Sequence, residues 1–412
     1  MIAILKNKQI LVLFISGLAV LFTGMGLFPI LPLFAAQFDA SNSTIGFYLA
    51  VVYAANALGP VIAGLLISRF SKKAVFIISA AVGTPALVGL GLAHNFLQVI
   101  VSTSVLWFAG GAVMALVSIF TGLHTDSSNR GKAFSLMALV VPLGSLMGGA
   151  AVGQLVRWQG YSVMFLVLAV VWTFIPFIGW LFLKEGPRAQ VQPAARTSET
   201  SAGASATRLG AVFARTAAFV FIGSIAVNVS RFGTSLSMQA QQFTPESVAG
   251  SAMVGGLIAI PATLAVGAYS DRLGRKHFLF ASYLLGMCGS FILVGATALW
   301  QFWLASVLHM LAFSISGAMA QALSTEIVPA QAVSKALTYM NTLAAAASIL
   351  CFAVGGVMYD LLGMPAVFMM SAIMALVVGV GIETLVRKDR GGRPQRFTAR
   401  LRLLRLLFTS KL

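Results

Sequence analysis

The sequence predicts an all-α membrane protein: twelve transmembrane helices arranged as two pseudo-symmetric six-helix bundles. Three observations carry that expectation. Of 412 residues, 59% are hydrophobic and only 9% charged, with a mean hydropathy of +0.94. A soluble chain of this length needs far more polar surface to cover its core. Apolar runs of about 20 residues, the length that crosses a ~30 Å hydrocarbon layer, recur along the chain. Between them, lysine and arginine crowd into alternate loops.

The spans are expected at 10–36, 45–68, 74–94, 97–122, 132–156 and 161–183, then at 211–237, 248–270, 277–298, 301–324, 333–358 and 364–386. The first is not read as a secretory signal, because it is long, carries Pro29 and Pro32, and belongs to an internal repeat. The 40 glycines and 13 prolines suit helices that pack closely and bend. A β-barrel would show short alternating segments instead of continuous apolar runs. Cys288 and Cys351 fall inside expected helices and are read as small packing residues.

The net charge of +17 has a positional explanation. With the N-terminus in the cytoplasm, all but two of the 27 lysines and arginines face the cytoplasm; Arg157 lies on the far side and Arg231 inside a helix. This positive-inside pattern places both termini in the cytoplasm of an inner-membrane protein. It assigns the basic surplus to topology and contact with the lipid bilayer, not to nucleic acid.

Sliding the chain against itself by 203 positions lays GLLISRFSKK (64–73) on GAYSDRLGRK (267–276). The same shift pairs Gly153 with Gly356, Gly160 with Gly363, Phe165 with Phe368, Lys132-Ala133 with Lys335-Ala336 and Met137 with Met340. One constant offset across separated regions indicates a parallel duplication. The expected organisation is a bundle over 1–184, a cytoplasmic linker over 185–210, a second bundle over 211–387 and a basic tail over 388–412. The linker is rich in Ala, Ser, Thr and Pro without an apolar stripe. In the tail, Arg400 to Phe408 has the pattern of a short basic amphipathic helix on the inner leaflet, with a structureless basic tail as the alternative.

Two six-helix halves, cytoplasmic termini, a central loop and the motif GxxxDRxGRK together resemble the major facilitator superfamily. The motif is strong in the second half; in the first, Ser68 stands in the Asp position and Ser71 in the second Gly position. GMGLFPILPLFAAQF (24–38) resembles the first helix of the twelve-span drug and sugar exporter branch. GSLMGGAAVGQL (144–155) is similar to the fifth-helix exporter motif, departing from it at Gly149 and Val152. The resemblance implies a conformational role for Gly267, Asp271, Arg272, Gly274, Arg275 and Lys276, and for Gly64, Arg69 and Lys73 in the first copy. Gly274 permits a tight turn, Gly267 a close helix approach, and Asp271 a latch tying the two halves together on the cytoplasmic side. The alternative is that these residues only anchor topology.

Ionisable and polar groups inside spans are candidates for the substrate path. Arg231 lies in the polar run NVSRFGTSLSMQAQQ (228–242) with Asn228, Ser230, Thr234 and Ser235; its repeat mate is Phe28, so the fold does not demand the charge. It is read either as an anchor for an anionic or carbonyl-bearing group or as an arginine reaching to the outer interface. His309 is a proton carrier or a neutral hydrogen-bonding residue. Asn56 and Asn341 contact substrate or pin helices, and Trp107 and Tyr53 supply aromatic walls. Every Asp and Glu falls near a helix end or in a loop, and the fourth-helix stretch VLWFAGGAVMA (105–115) has no arginine, which weakens exchange of cationic drugs for protons.

No nucleotide-binding loop, metal-ligand spacing or catalytic triad is present in the sequence, so no enzyme activity and no cofactor is expected. The expected function is a secondary carrier, monomeric, exporting small amphipathic or weakly anionic molecules by alternating access, with protons as a candidate coupling ion. The alternatives are a facilitative importer and a non-transporting membrane scaffold that gathers partners through its tail.

Overall fold

The computed structural model describes residues 7–126, 129–185 and 209–388. All regular structure among them is helical. The elements are α1 (Lys8–Leu27), α2 (Leu31–Ala36), α3 (Asn42–Leu66), α4 (Lys72–Gly91), α5 (Phe96–Leu123), α6 (Arg130–Ala138) and α7 (Val140–Phe182) in the first half. The second half holds α8 (Ala211–Ala240), α9 (Pro245–Leu273), α10 (Arg275–Leu293), α11 (Leu299–Ile327), α12 (Val333–Leu362) and α13 (Met364–Lys388).

Eleven described segments are long and apolar enough to cross a membrane, and one of them, Lys132–Phe182, has 51 residues. At ~1.5 Å per residue that segment would run to more than twice the hydrocarbon thickness. It is divided at Gly160, whose φ of 78° belongs to no helix. The two pieces are the fifth and sixth spans, so the described residues make twelve. Gly363, the repeat mate of Gly160, has the same φ of 78° and separates α12 from α13. Both turns need backbone angles that a side chain resists.

The first span departs from the expected unbroken run over 10–36. It ends at Leu27 and restarts at Leu31, with Pro32 in the first turn of α2. Pro29 lacks the N–H that an unbroken ladder requires, and its ring crowds the preceding turn.

The duplication is written in the backbone as well as in the sequence. Asp39 and Gln242, 203 positions apart, are the two non-glycine residues with positive φ among those described, at 55° and 61°. Ser41 caps α3 by accepting from the Thr44 N–H, and its mate Thr244 caps α9 by accepting from the Ser247 N–H. The Gln98 side-chain oxygen accepts the His94 N–H at 2.7 Å, and that of the mate Gln301 accepts the Thr297 N–H at 2.8 Å. Such caps satisfy amides that the first helical turn leaves free.

Apolar side chains such as Val170, Phe174, Phe177, Phe291, Ile373 and Val377 lie exposed on the outer surface. Trp158 and Trp300 stand exposed at one end of the bundle and Trp180 at the other, as aromatic residues do at the two membrane interfaces. The protein is an integral, multi-pass membrane protein. Cys288 is exposed and only Cys351 is buried, which corrects the expectation that both cysteines are packing residues. On a helix whose outer face meets lipid, position inside a span does not imply burial.

The end that carries residues 8, 185, 209 and 388 is called the terminal end, the opposite one the far end. Among the described residues, the buried apolar core joins the two halves toward the far end. One cluster combines the first half with Phe232, Leu236, Val248, Phe302, Phe352 and other far-end residues of the second. A separate cluster, including Phe213, Leu279, Tyr283, Leu323 and Met340, belongs to the second half alone, at the terminal end.

Candidate functional site

Close packing seals the far end. A Cβ on Gly356 would lie 2.5 Å from the Asn42 carbonyl oxygen and 2.9 Å from the Gly46 Cα, so α12 and α3 touch backbone to backbone. The mate contact brings Gly153 of α7 against Glu246 and Ala249 of α9, where a Cβ would lie 2.7 Å from the Glu246 Cα. Polar ties at mated positions sit above both contacts. Arg157 pairs with Glu246 at 3.1 Å, and Asp360 accepts the Ser43 N–H at 2.8 Å together with the Ser43 hydroxyl. Shifting 43 by 203 gives 246 and shifting 157 gives 360, so one position has been built once as an ion pair and once as a helix cap.

Below this seal the halves separate around two adjoining cavities of about 470 Å³ each. One is walled by Phe28, Tyr53, Leu106, Trp107, Trp172 and Phe313. The other reaches toward the terminal end past Val141, Thr263, Gln321, Met340 and Asn341. Asn228, Phe313 and Ser348 line both.

Arg231 stands at the head of the first cavity. Its guanidinium lies between two aromatic rings, 4.4 Å from the Phe313 centroid and 5.0 Å from that of Phe28. Contact between Arg231 and its own repeat mate places this pair where the two halves meet. One of these rings is on α11 and the other lies in the break between α1 and α2. One N–H donates to the Asn228 side-chain oxygen at 3.4 Å, and no carboxylate among the described residues lies within ion-pair distance.

His309 is 1% exposed on α11, with Nε2 3.1 Å from the Ser290 hydroxyl, which in turn lies 2.7 Å from the Ser230 hydroxyl. Asn56 donates to the Trp107 carbonyl at 3.0 Å, so one of these two candidates holds the other in the cavity wall. Asn341 accepts from Gln321 at 3.3 Å, nearer the terminal end. The structure thus gathers Arg231, Asn228, Asn56 and Trp107 around one cavity, puts Asn341 in the adjoining one, and sets His309 behind Arg231.

The motif residues lie apart from this cavity. Gly274 has a φ of 94° and joins α9 to α10, the tight turn its position implied. Its mate Ser71 makes the corresponding turn by capping α4 on the Ala74 N–H instead. Arg275 pairs with Glu326 at 3.3 Å and donates to the Ala322 carbonyl, while Lys276 pairs with Glu383 at 3.0 Å. These contacts join α10 to α11 and α13 within one half, holding the turn at its end of the bundle. Gly64 has nothing within 4 Å of an added Cβ, so it serves no close approach, and Arg69 is exposed. In the first copy the Lys73 N–H donates to Glu185 at 3.2 Å. The side chains of Asp271 and Arg272 and the surroundings of Gly267 lie outside the described residues, as do most of the linker and the tail.

The family model described as Major Facilitator Superfamily matches residues 13–294 and again 220–412. The chain belongs to this superfamily. Among curated relatives, Multidrug resistance protein 2 of Bacillus subtilis (strain 168) is 22% identical over 395 residues, 93% of this chain and 96% of that protein. Quinolone resistance protein NorA of Staphylococcus aureus is 27% identical over 146 residues, 34% of this chain and 37% of that protein. Of solved structures, a bacterial homolog of the human lysosomal transporter Spinster, in an inward-facing and unoccupied conformation, aligns with TM-score 0.66 and 12% identity over 94% of this chain and 100% of that one. A POT family transporter in complex with a thioalcohol conjugated peptide aligns with TM-score 0.72 and 12% identity over 92% and 96%. The chain is therefore a membrane transporter of the major facilitator fold.

Some cavity residues were not singled out from the sequence. Phe313 and Ser348 lie in apolar runs with no local signal. Phe28 was noted only as the mate of Arg231; that relation was itself the available clue, because mates near the symmetry axis meet.

Proposed function

We propose that this major facilitator protein is a secondary carrier that exports small amphipathic or weakly anionic organic molecules by alternating access. The observation that carries the reading is the Arg231 guanidinium, stacked between aromatic rings at the head of a cavity that is sealed on one side, with no carboxylate partner among the described residues. A cation held this way has its donors available for a cargo anion, and the aromatic walls suit an apolar body. The positive-inside pattern makes the terminal end cytoplasmic in the inner membrane, so the cavity is ready to load from inside. The bundles over 1–184 and 211–387 swivel as units about the cavity, joined by the linker over 185–210. The carrier works as a monomer, leaves its cargo chemically unaltered and draws on an ion gradient, protons being the expected ion. The drug-resistance names of its relatives support export.

The test is efflux and counterflow in proteoliposomes with a panel of lipophilic cations, neutral compounds and organic anions. Accumulation against a gradient of at least one class, with anions favoured, is the expected result. No movement of any compound, in either direction, would reject the carrier function.

A further inference from the structure

We propose that a small chamber beyond Arg231 is a subsite for one neutral polar group of the cargo, a hydroxyl or a carboxamide, whose oxygen accepts from Arg231 and whose hydrogen goes to Nδ1 of His309. The assignment rests on the carrier function above and adds the chemistry of one end of the cargo. The chamber measures about 50 Å³ and shares Met25, Phe28 and Arg231 with the first cavity. A space of a few water volumes suits a functional group, not a whole molecule.

The hydrogen bonds around Ser290 decide which ring nitrogen of His309 carries the hydrogen. The Ser290 hydroxyl donates to the Gly286 carbonyl at 2.9 Å. Its oxygen is then an acceptor toward its two other neighbours, the Ser230 hydroxyl at 2.7 Å and Nε2 of His309 at 3.1 Å. Nε2 therefore bears the hydrogen of the neutral ring, and Nδ1 is left with a lone pair. A Cβ on Gly289 would lie 3.0 Å from Nε2 and 3.1 Å from Cδ2, so that edge of the ring lies against α10. Nδ1 is on the opposite edge, and His309 lines the chamber. Nδ1 is buried and has no hydrogen-bond partner. Unpaired buried polar atoms are rare, and one that borders an open chamber marks the place of a missing partner, here a donor.

The protein itself does not supply that donor from the nearest hydroxyls. Ser145, Thr234 and Ser251, which line the chamber, direct their hydrogens to backbone carbonyls at 2.7–2.8 Å. Stacking covers the faces of the Arg231 guanidinium and leaves its N–H edge as the strong donor of the chamber. The two groups together select by sign. A cation is repelled by Arg231, and an anionic oxygen would face the lone pair of Nδ1. A neutral group that accepts on one side and donates on the other satisfies both. Any charge on the cargo then stays in the first cavity, which Arg231 also lines, with the apolar body among Tyr53, Trp107 and Phe313.

The test uses the full chain in lipid nanodiscs and two pairs of probes that share a naphthalene body. One pair is 2-(1-naphthyl)ethanol and its methyl ether; the other is 1-naphthaleneacetamide and its N,N-dimethyl derivative. In each pair the second member keeps the accepting oxygen and lacks the hydrogen. The wild type is expected to bind the hydrogen-bearing member about tenfold more tightly in at least one pair, and that pair tells hydroxyl from carboxamide. His309→Gln keeps a polar atom near the Nε2 position and loses the one at Nδ1, so it should abolish the preference. His309→Asn keeps an amide oxygen near the Nδ1 position and gives up the Ser290 contact, so it should retain most of the preference. A wild type with no preference in either pair, as a chamber that holds only water would give, overturns the subsite. So does a preference that survives in His309→Gln or is lost in His309→Asn. Efflux of other compounds continuing while the preference is absent would sink the subsite alone, whereas a chain that moves nothing would sink the carrier function.

Discussion

At the scale of single residues, the glycines show how little of a packing role is visible in local sequence. Gly64 belongs to a recognisable loop motif and touches nothing, whereas Gly83 belongs to none and is indispensable to a close contact. A Cβ on Gly83 would fall 2.2 Å from Nε1 of Trp172, whose N–H donates to the Ala80 carbonyl at 2.8 Å. Gly83→Ala must displace a buried indole that also walls the cavity, an overpacking cost of about 1–3 kcal/mol. Its apparent melting temperature in detergent should fall by several degrees. Gly64→Ala should be neutral or slightly stabilising, since a helix gains from the exchange where space is open. Equal destabilisation of both variants would refute the packing assignment. Arg231 and His309 were legible as candidates because polar groups in apolar runs are conspicuous. Their shared chamber was not, since it depends on which faces of α8 and α11 turn toward each other.

At the scale of elements, the far-end seal contains two ties of unequal strength. Arg157 is 61% exposed, and an exposed ion pair of this kind contributes about 0–1 kcal/mol. Asp360 instead holds an amide in the first turn of α3 from the other half, a cap-like contact of about 0.5–2 kcal/mol. Spin labels at positions 94 and 297, mated far-end loops, report the separation of the halves there. Asp360→Ala should enlarge the far-end-open population more than Arg157→Ala does, by up to about tenfold against a few-fold. The reverse ranking would assign the seal to the ion pair. Gly356→Leu, placing a side chain where α12 and α3 touch, should prevent closure at the far end whatever the polar ties do. Spans and the turn at Gly274 were readable, because apolar runs and a glycine in a charged loop are features of a few neighbouring residues. The break after Leu27 was missed although Pro29 announced it, since a proline in a membrane helix bends some helices and divides others.

At the scale of the whole molecule, one conformation is present, with the halves joined at the far end and parted at the terminal end. A cysteine at position 344, in the terminal-side cavity, should react with a membrane-impermeant maleimide in inside-out vesicles and be protected in right-side-out ones. A cysteine at position 251, in the chamber beyond Arg231, should be shielded from the far side. Labelling of position 344 only from the outer face would invert the orientation that the basic loops imply. The sequence by itself determined the class of protein, the twelve spans and the duplication, because hydropathy, loop charge and a constant offset are properties of the chain read in order. It did not determine that Arg231 stacks on its own mate, or that mated positions close the far end with an ion pair on one side and a cap on the other. Those depend on which helix surfaces meet across the molecule, and contacts between residues far apart in the chain leave no mark on the local sequence around either of them.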